Sequence, residues 1–521
     1  MKNITLLKAK VGILAVSCLS ITALFACVDK DARSDLNPNL PTDQAQNGDF
    51  GDQGGGSDQG LNFPVFDDGV LAFPGAEGYG KNVTGARAGE GREIYHVTNL
   101  NDAGPGSFRD AVSKPWRIIV FDVSGVIKLS SNPIVLKSNQ TILGHTAPGD
   151  GIVLYNGRVS ASGAQNLIVR YLRIRMGAAY PSELDACGIA NGANMIFDHC
   201  SMTWGKDECF SINPDGKGTA PKNITIQNSI IGQGLQNHSC GGLMQTDISN
   251  GCTIFRNLYI DNKTRNPKVK GLNQFVNNVV YNWGSGAAYN MSGDSQGKSE
   301  TTIENNYFIV GPCHNWQNVA QPDGSIKTEY VPMNPARPFT GGNGNFNTYC
   351  KGNYYDNNKD GALDGVEITE TNWSQYCSGS PVFLEARSDL HPIIRSQKSA
   401  QEAYEWVVEK VGAYLPVRDE VDKYLMDELI SLGRKGTIIQ DERKAEQFPL
   451  GGPGTINAAQ KPLDSDNDGM PDAFEDAWGL DKYDSTDAVK EAKNGYLNIE
   501  NYALSLEYPD EYEYELNKNK Q

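Results

Sequence analysis

Positive charge is scarce in this sequence. Its 46 Lys and Arg residues face 63 Asp and Glu, a formal net charge of −17. So acidic a chain is ill suited to nucleic acid. An anionic ligand would have to meet a local cationic patch or a bridging metal. The eight cysteines beyond Cys27 show no zinc-type spacing, and spacing alone gives no disulfide pairing. Long apolar runs are missing too, apart from Val11 to Ala26, which is too short to span a bilayer. Helical periodicity is missing over most of the chain after Ala72.

The N-terminus accounts for the one apolar run. Lys2, Lys8 and Lys10 precede or begin it, so residues 1–26 read as an export signal. The run ends in "LFAC", which has the form of a bacterial lipobox and makes Cys27 the expected lipidation site. The plainer alternative is a secretory signal cut nearby. The expectation is an exported lipoprotein of a bacterial outer membrane, at or near the cell surface, touching the membrane only through its acyl chains. Without lipidation it would be secreted. Residues 27–70 hold "GDFGDQGGGSDQG" and have little to bury, so they read as a flexible tether. Export also permits disulfides.

What the chain has instead of helices is short β-type runs of one form: apolar, polar, Asn, apolar. They read "IVRYLRI", "IFDHCSM", "ITIQNSII", "IFRNLYI", "FVNNVVY" and "TIENNYF". The matching positions are Tyr171, His199, Asn228, Asn257, Asn278 and Asn305, spaced 28, 29, 29, 21 and 27 residues apart. A sandwich would show hairpin signals at shorter spacing. Irregular repeats of this length suit a parallel β-helix over residues 71–450, in which Asn stacks on Asn from coil to coil. The alternative is a large Greek-key β protein rich in Asn. Residues 381–435 change character: "SAQEAYEWVVEKVGAYL" and "RDEVDKYLMDELISLG" are helical and should cap the solenoid or lie along its side.

Residues 451–521 read as a small separate calcium module. "DSDNDGMPDAFE" matches the calcium-loop pattern, with Asp464, Asp466, Asp468, Asp472 and Glu475 as candidate ligands and Gly469 at the sharp turn.

The remaining signal is a meeting of opposite charges. "PSELDACGI" places Glu183 and Asp185 two apart, on one face of an extended segment. "WGKDECFSI" adds Asp207 and Glu208 about one coil later. Coils stack about 4.8 Å apart, so these acids could converge on one hard cation, for which calcium is the fit. Further on, "TRNPKVKG" gathers Arg265, Lys268 and Lys270 around Pro267. Cations gathered in an acidic protein suggest a polyanion.

These phrases carry a resemblance. From "LAFPGAEGYG" to about Val310 the chain resembles the pectate lyases of polysaccharide lyase family one, in a bacterial branch with a C-terminal calcium module. The supporting text includes "YHVTNLNDAGPGSFRDAV", "GHTAPGDGI", "NMIFDHCSMTWGKDECFSI" and "NKTRNPKVKGLNQFVNNVVYN". The resemblance implies a right-handed parallel β-helix, calcium held by Glu183, Asp185 and Asp207, and Arg265 as catalytic base. A fourth family acid falls on Ser211, with Glu208 the nearby substitute. The second arginine of the family motif is Lys270 here, which keeps the charge and loses the bidentate fork. The family's further substrate-binding lysine has no match; His238 or Gln236 lies nearest.

The implied activity is calcium-dependent β-elimination of polygalacturonate by a monomer. Removing the proton at C5 builds charge on the substrate carboxylate. A metal and the cations Lys268 and Lys270 would stabilise that charge. Lys263 or Lys268 is the alternative base, since an arginine with a pKa above 12 needs desolvation among other cations to act. The rivals are a non-catalytic β-helix that binds glycans, a hydrolase using the acids directly, and a lyase for methyl-esterified pectin.

Overall fold

The computed structural model describes residues 69–518, apart from 131, 285, 292–297 and 336. The expected export signal, Cys27 and nearly all of the tether lie outside the described residues. The chain winds as a right-handed parallel β-helix with three sheets of 11, 10 and 8 strands. Each coil visits the first, second and third sheet in turn. The exceptions to parallel pairing are a hairpin, His314–Ala320 with Ile326–Pro332, and the strand Val366–Ile368, which closes the second sheet antiparallel.

Alternation builds the interior. In Gln165–Arg170, Leu167 and Val169 enter the solenoid core while Ile168 and Arg170 face outward. Of eight buried free thiols, from Cys187 to Cys377, all but Cys240 fill the solenoid core as small apolar groups, with no disulfide among the described residues.

The corner between the first and second sheets corrects the reading of the repeat. Two adjacent rows run there, and the sequence pattern mixed them. Tyr171, His199, Asn228, Arg256, Asn277 and Asn305 all have left-handed φ, between 49° and 57°. Asn tolerates that conformation at little cost. The hydrogen-bonded ladder is the next row: Ser229, Asn257, Asn278, Asn306 and Asn353. Each Asn Oδ1 there accepts from the backbone N–H of the coil before it, at 2.8–3.2 Å. Asn228 and Asn305 therefore belong to the turn row and not to the ladder.

The outer faces decide where a site can form. The helices Ala400–Lys410 and Glu420–Leu429 lie along the second sheet, packing Val407, Leu425 and Leu429 on Ile230, Leu258, Val279 and Ile309. Buried Arg175 ties them down through Asp419 and Asp422. The first sheet is covered by both ends of the described chain. Leu71 and Phe73 meet Ile118, Val120, Leu143, Ile168 and Ile196, as do Met470, Phe474, Trp478, Leu497 and Ile499. Residues 451–518 thus share this core with the solenoid, and Arg87–Glu500 and Arg170–Glu507 ion pairs fasten it. The third sheet turns a half-buried row outward: Leu243, Lys268, Asn290 and Thr340 stand in register.

Candidate functional site

Beyond the second sheet the chain reverses through a second left-handed row, Trp204, Gln233, Asp261 and Asn282, with φ between 49° and 60°. The loops that follow lead into the third sheet and carry the predicted site. Glycine lets them stack closely. A side chain at Gly242 would meet the Phe210 carbonyl oxygen at 1.8 Å, and one at Gly241 the Arg265 carbonyl oxygen at 2.6 Å.

Strand pairing of Cys187 with Phe210 sets Asp185 beside Glu208, whose N–H donates to Asp185 Oδ1 at 3.3 Å. Glu208, Cys240 and Thr264 then follow in successive coils as bridge partners. Next to Thr264, Arg265 sits at φ 56° and aims its guanidinium back at Glu208, forming an ion pair. Carboxylate oxygens of Asp185, Asp207 and Glu208 lie within 4.8 Å of one another. Glu208 is 2% exposed. Burial, and then the hydrogen bond and charge of Asp185, push its carboxyl up to about 8, against the pull of Arg265. Burial raises Asp185 as well, against the pull of Glu208 and Arg158. Crowded carboxylates that burial and mutual repulsion drive toward protonation are a donor set suited to a hard divalent cation.

A competing set, Glu208, His238 and Cys240, also has its donor atoms within 4.8 Å. Burial pushes the Cys240 thiol up to about 12, so it is no ready thiolate ligand. His238 Nε2 instead reaches Asp207 Oδ1 at 2.9 Å. The three carboxylates are the better centre.

The other predicted residues separate around this core. Glu183 is exposed and stands outside the carboxylate group. Ser211 is buried opposite Gly188, its Oγ accepting from the Leu243 N–H at 3.1 Å. Lys268 and Lys270 flank inward Val269, so both point off the outer face of the third sheet. Arg265, Lys268, Asn290, Thr340 and Ser378 line an open groove of about 360 Å³. Sequence reasoning missed Arg158, which approaches Asp185 through space from the previous coil.

At the C-terminal loop the structure redistributes the predicted ligands. Oxygens of Asp464, Asp466 and Asp468 lie within 4.8 Å of one another, and so do those of Asp468, Glu475 and Asp487. Asp472 turns away. Its two oxygens accept from Ser465 N–H and Oγ–H, both at 2.8 Å. Asp487 lies outside the twelve-residue pattern, so no linear motif could have found it.

A β-helix whose open sheet sets a carboxylate group against an arginine and a lysine-bearing groove has the layout of a lyase for acidic polysaccharides. The chain belongs to the pectate lyase family, whose model, described as Pectate lyase, matches residues 74–354. Proteins described as Probable pectate lyase C are similar over most of their length. The one from Aspergillus fumigatus is 48% identical over 437 residues, 84% of this chain and 94% of its own. The one from Aspergillus flavus is 47% identical over 448 residues, 86% and 96%. The one from Emericella nidulans is 47% identical over 437 residues, 84% and 93%. The chain is a polysaccharide lyase that cleaves pectate. These relatives correct the expected location. They are fungal, and fungi have no bacterial outer membrane, so the outer-membrane lipoprotein is withdrawn. Among the described residues no helix is long and apolar enough to cross a membrane.

Proposed function

We propose that this chain cleaves polygalacturonate with Arg265 as the base that takes the C5 proton, beside a calcium ion held by Asp185, Asp207 and Glu208. The observation that supports it is the Arg265–Glu208 pair at the edge of the carboxylate group. A calcium ion bound there supplies positive charge to the carboxylate of the sugar that reacts, which makes C5–H more acidic. His238 holds Asp207 in place. Lys268 and Lys270, on the open sheet, receive carboxylates of neighbouring sugars.

Elimination breaks C5–H and then C4–O4. The electron pair of C5–H forms the C4–C5 double bond, Arg265 in its neutral form takes the proton and becomes guanidinium, and O4 leaves to be protonated by solvent. Burial works to lower the Arg265 pKa, but Cys240, Glu208 and Asp207 raise it above its ordinary value. Turnover therefore requires Glu208 and Asp207 to be engaged elsewhere, and a cation is what engages them. A methyl-ester substrate would leave this carboxylate group without a task, which favours pectate over esterified pectin.

In the same reading the loop from Asp464 to Glu475 holds a second calcium ion of structural purpose. The test of the catalytic centre is direct. Polygalacturonate is incubated with the protein, and ultraviolet absorbance of the unsaturated product is followed with calcium and with excess chelator. Undiminished product formation in the metal-stripped enzyme would overturn the metal role.

A further inference from the structure

The C-terminal loop goes further than its motif. We propose that its calcium centre is completed by Asp487, alongside Asp464, Asp466, Asp468 and Glu475, and that the ion locks the C-terminal segment onto the first coils of the β-helix. The proposal rests on reading the loop as a calcium site, and it changes both the ligand set and the purpose.

Buried oxygens without donors carry it. Glu475 is fully buried, and neither of its oxygens has a hydrogen-bond partner. Asp487 is 4% exposed with Oδ1 unpartnered, and Asp468 is 3% exposed with Oδ2 unpartnered. Both oxygens of Asp466 are buried and unpartnered as well. Asp466 and Glu475 thus offer two oxygens each, Asp468 and Asp487 one each. Unpaired buried carboxylates are among the costliest groups a fold can hold, unless they bind a cation. Of this group Lys461 meets only Asp464, at 3.5 Å, and Lys490 acts on Asp487 only through space. Calcium takes 6–8 oxygens at about 2.3–2.6 Å, so ligands facing each other across it lie nearly 5 Å apart. Oxygens within 4.8 Å of one another fit that span. Magnesium keeps several waters and is seldom held by an all-protein cage, so a group of this many carboxylates favours calcium.

The same structure excludes Asp472, whose oxygens are occupied by Ser465. It also fixes Asp487, because the Asp481 N–H donates to Oδ2 at 3.1 Å and leaves Oδ1 turned to the group. The ion would therefore join the loop to the turn Asp487–Val489.

The centre stands directly on the solenoid. A side chain at Gly469 would meet Val120 and Ile499 at 3.3 Å and Ile94 at 3.4 Å, so the loop turn lies on the outer face of the first two strands. Met470 is buried in that shared core, and Lys461 pairs with Asp122 at 3.0 Å. Arg92, just before the first strand, donates to the Val489 carbonyl at 2.8 Å, two residues past Asp487. Filling the centre stabilises the first coils as well as the loop.

The experiment uses the full chain, stripped of metal and dialysed against calcium or magnesium chloride, with Asp185→Asn as background so that calcium binding at the catalytic centre is weakened. Calcium should raise the unfolding temperature, and magnesium should do much less. Hydrogen exchange in strands Glu93–Val97 and Arg117–Phe121 should slow with calcium. Asp487→Asn should weaken calcium binding at least tenfold and abolish that protection, while Asp472→Asn should stay within about twofold. If Asp466→Asn loses the ion but Asp487→Asn keeps it, the loop binds calcium and the present proposal falls. If both variants bind as the parent does, the loop reading falls with it. If calcium leaves exchange in the first two strands unchanged in the parent protein, the lock is overturned without need of any variant.

Discussion

Arg265 joins the two halves of the site, since its guanidinium contacts the carboxylate group and lines the groove. Arg265→Ala should lower turnover on polygalacturonate by roughly 10²–10⁴-fold, the usual worth of a general base, with the fold unchanged by circular dichroism. Arg265→Lys should lose most activity too, because lysine keeps the charge and not the planar fork. Turnover like that of the parent in Arg265→Ala would remove it as the base. Asp185→Asn should raise the calcium needed for half-maximal rate roughly tenfold or more, about 1.4 kcal/mol for each factor of ten. An unchanged calcium requirement would take Asp185 out of the centre. At this scale the sequence was informative where chemistry is written in consecutive letters. Arg265, Lys268 and Lys270 sit in one octapeptide, and Asp185, Asp207 and Glu208 precede strands of successive coils. Glu183 was misleading because alternation assumes extended backbone, and its loop is irregular. Arg158 and Asp487 were invisible because proximity through space leaves no spacing to read.

Among the elements, the asparagine ladder holds coil to coil. Asn278 donates to the Ile254 carbonyl at 2.9 Å and accepts from the Asn257 N–H at 2.9 Å, all of it buried. Asn278→Ala should cost about 2–4 kcal/mol, since it leaves buried donors and acceptors without partners. A loss under 1 kcal/mol in denaturant unfolding would mean that water replaces the side chain. The ladder's existence was legible and its register was not, because Asn suits both the left-handed turn and the ladder beside it. A second device anchors the helix Glu420–Leu429. Buried Asp261 and Glu428 act on each other's charge, and each has an oxygen that lacks any donor. Burial, and then Asp261, holds Glu428 protonated well above the carboxylate range, and burial lifts Asp261 to about 6. In the unfolded chain both lose their protons near 4. The folded state thus binds more protons above that pH. The pair's share of the stability should fall as pH rises past about 4, and keep falling until its folded pKa values are passed. Glu428→Gln should flatten that decline and unfold no earlier than the parent at pH 9. If its unfolding temperature falls with pH as steeply as the parent's, the pair is not the cause.

In the whole molecule the outer faces differ: helices cover the second sheet, both ends of the described chain cover the first, and the third carries an open groove. The C-terminal cover looks separable in sequence, because "FPLGGPGT" reads as a linker. The structure shows why cutting there should fail. Ending the chain near Pro453 would strip the C-terminal part of the cover from Ile118, Val120, Leu143, Ile168 and Ile196, leaving only Leu71, Phe73 and their neighbours on that face. At about 1.5–3 kcal/mol for each side chain, that loss is comparable with the whole stability of a typical domain, about 5–15 kcal/mol. The truncated chain should aggregate or unfold near room temperature. A soluble, fully active truncation would show that the cover is dispensable.

The shared cover also sets a timetable for biosynthesis. Ribosomes make proteins from the N-terminus, and Val120 emerges long before Leu504, which belongs to the same core. At about 5–20 residues per second, that interval lasts roughly 20–80 s. Throughout it the earliest rungs of the solenoid present an apolar flank that the segment from Leu71 to Ala86 alone only partly conceals. The nascent protein therefore depends on being held by a chaperone, or on winding only after release, when its last helix arrives to close the first coil.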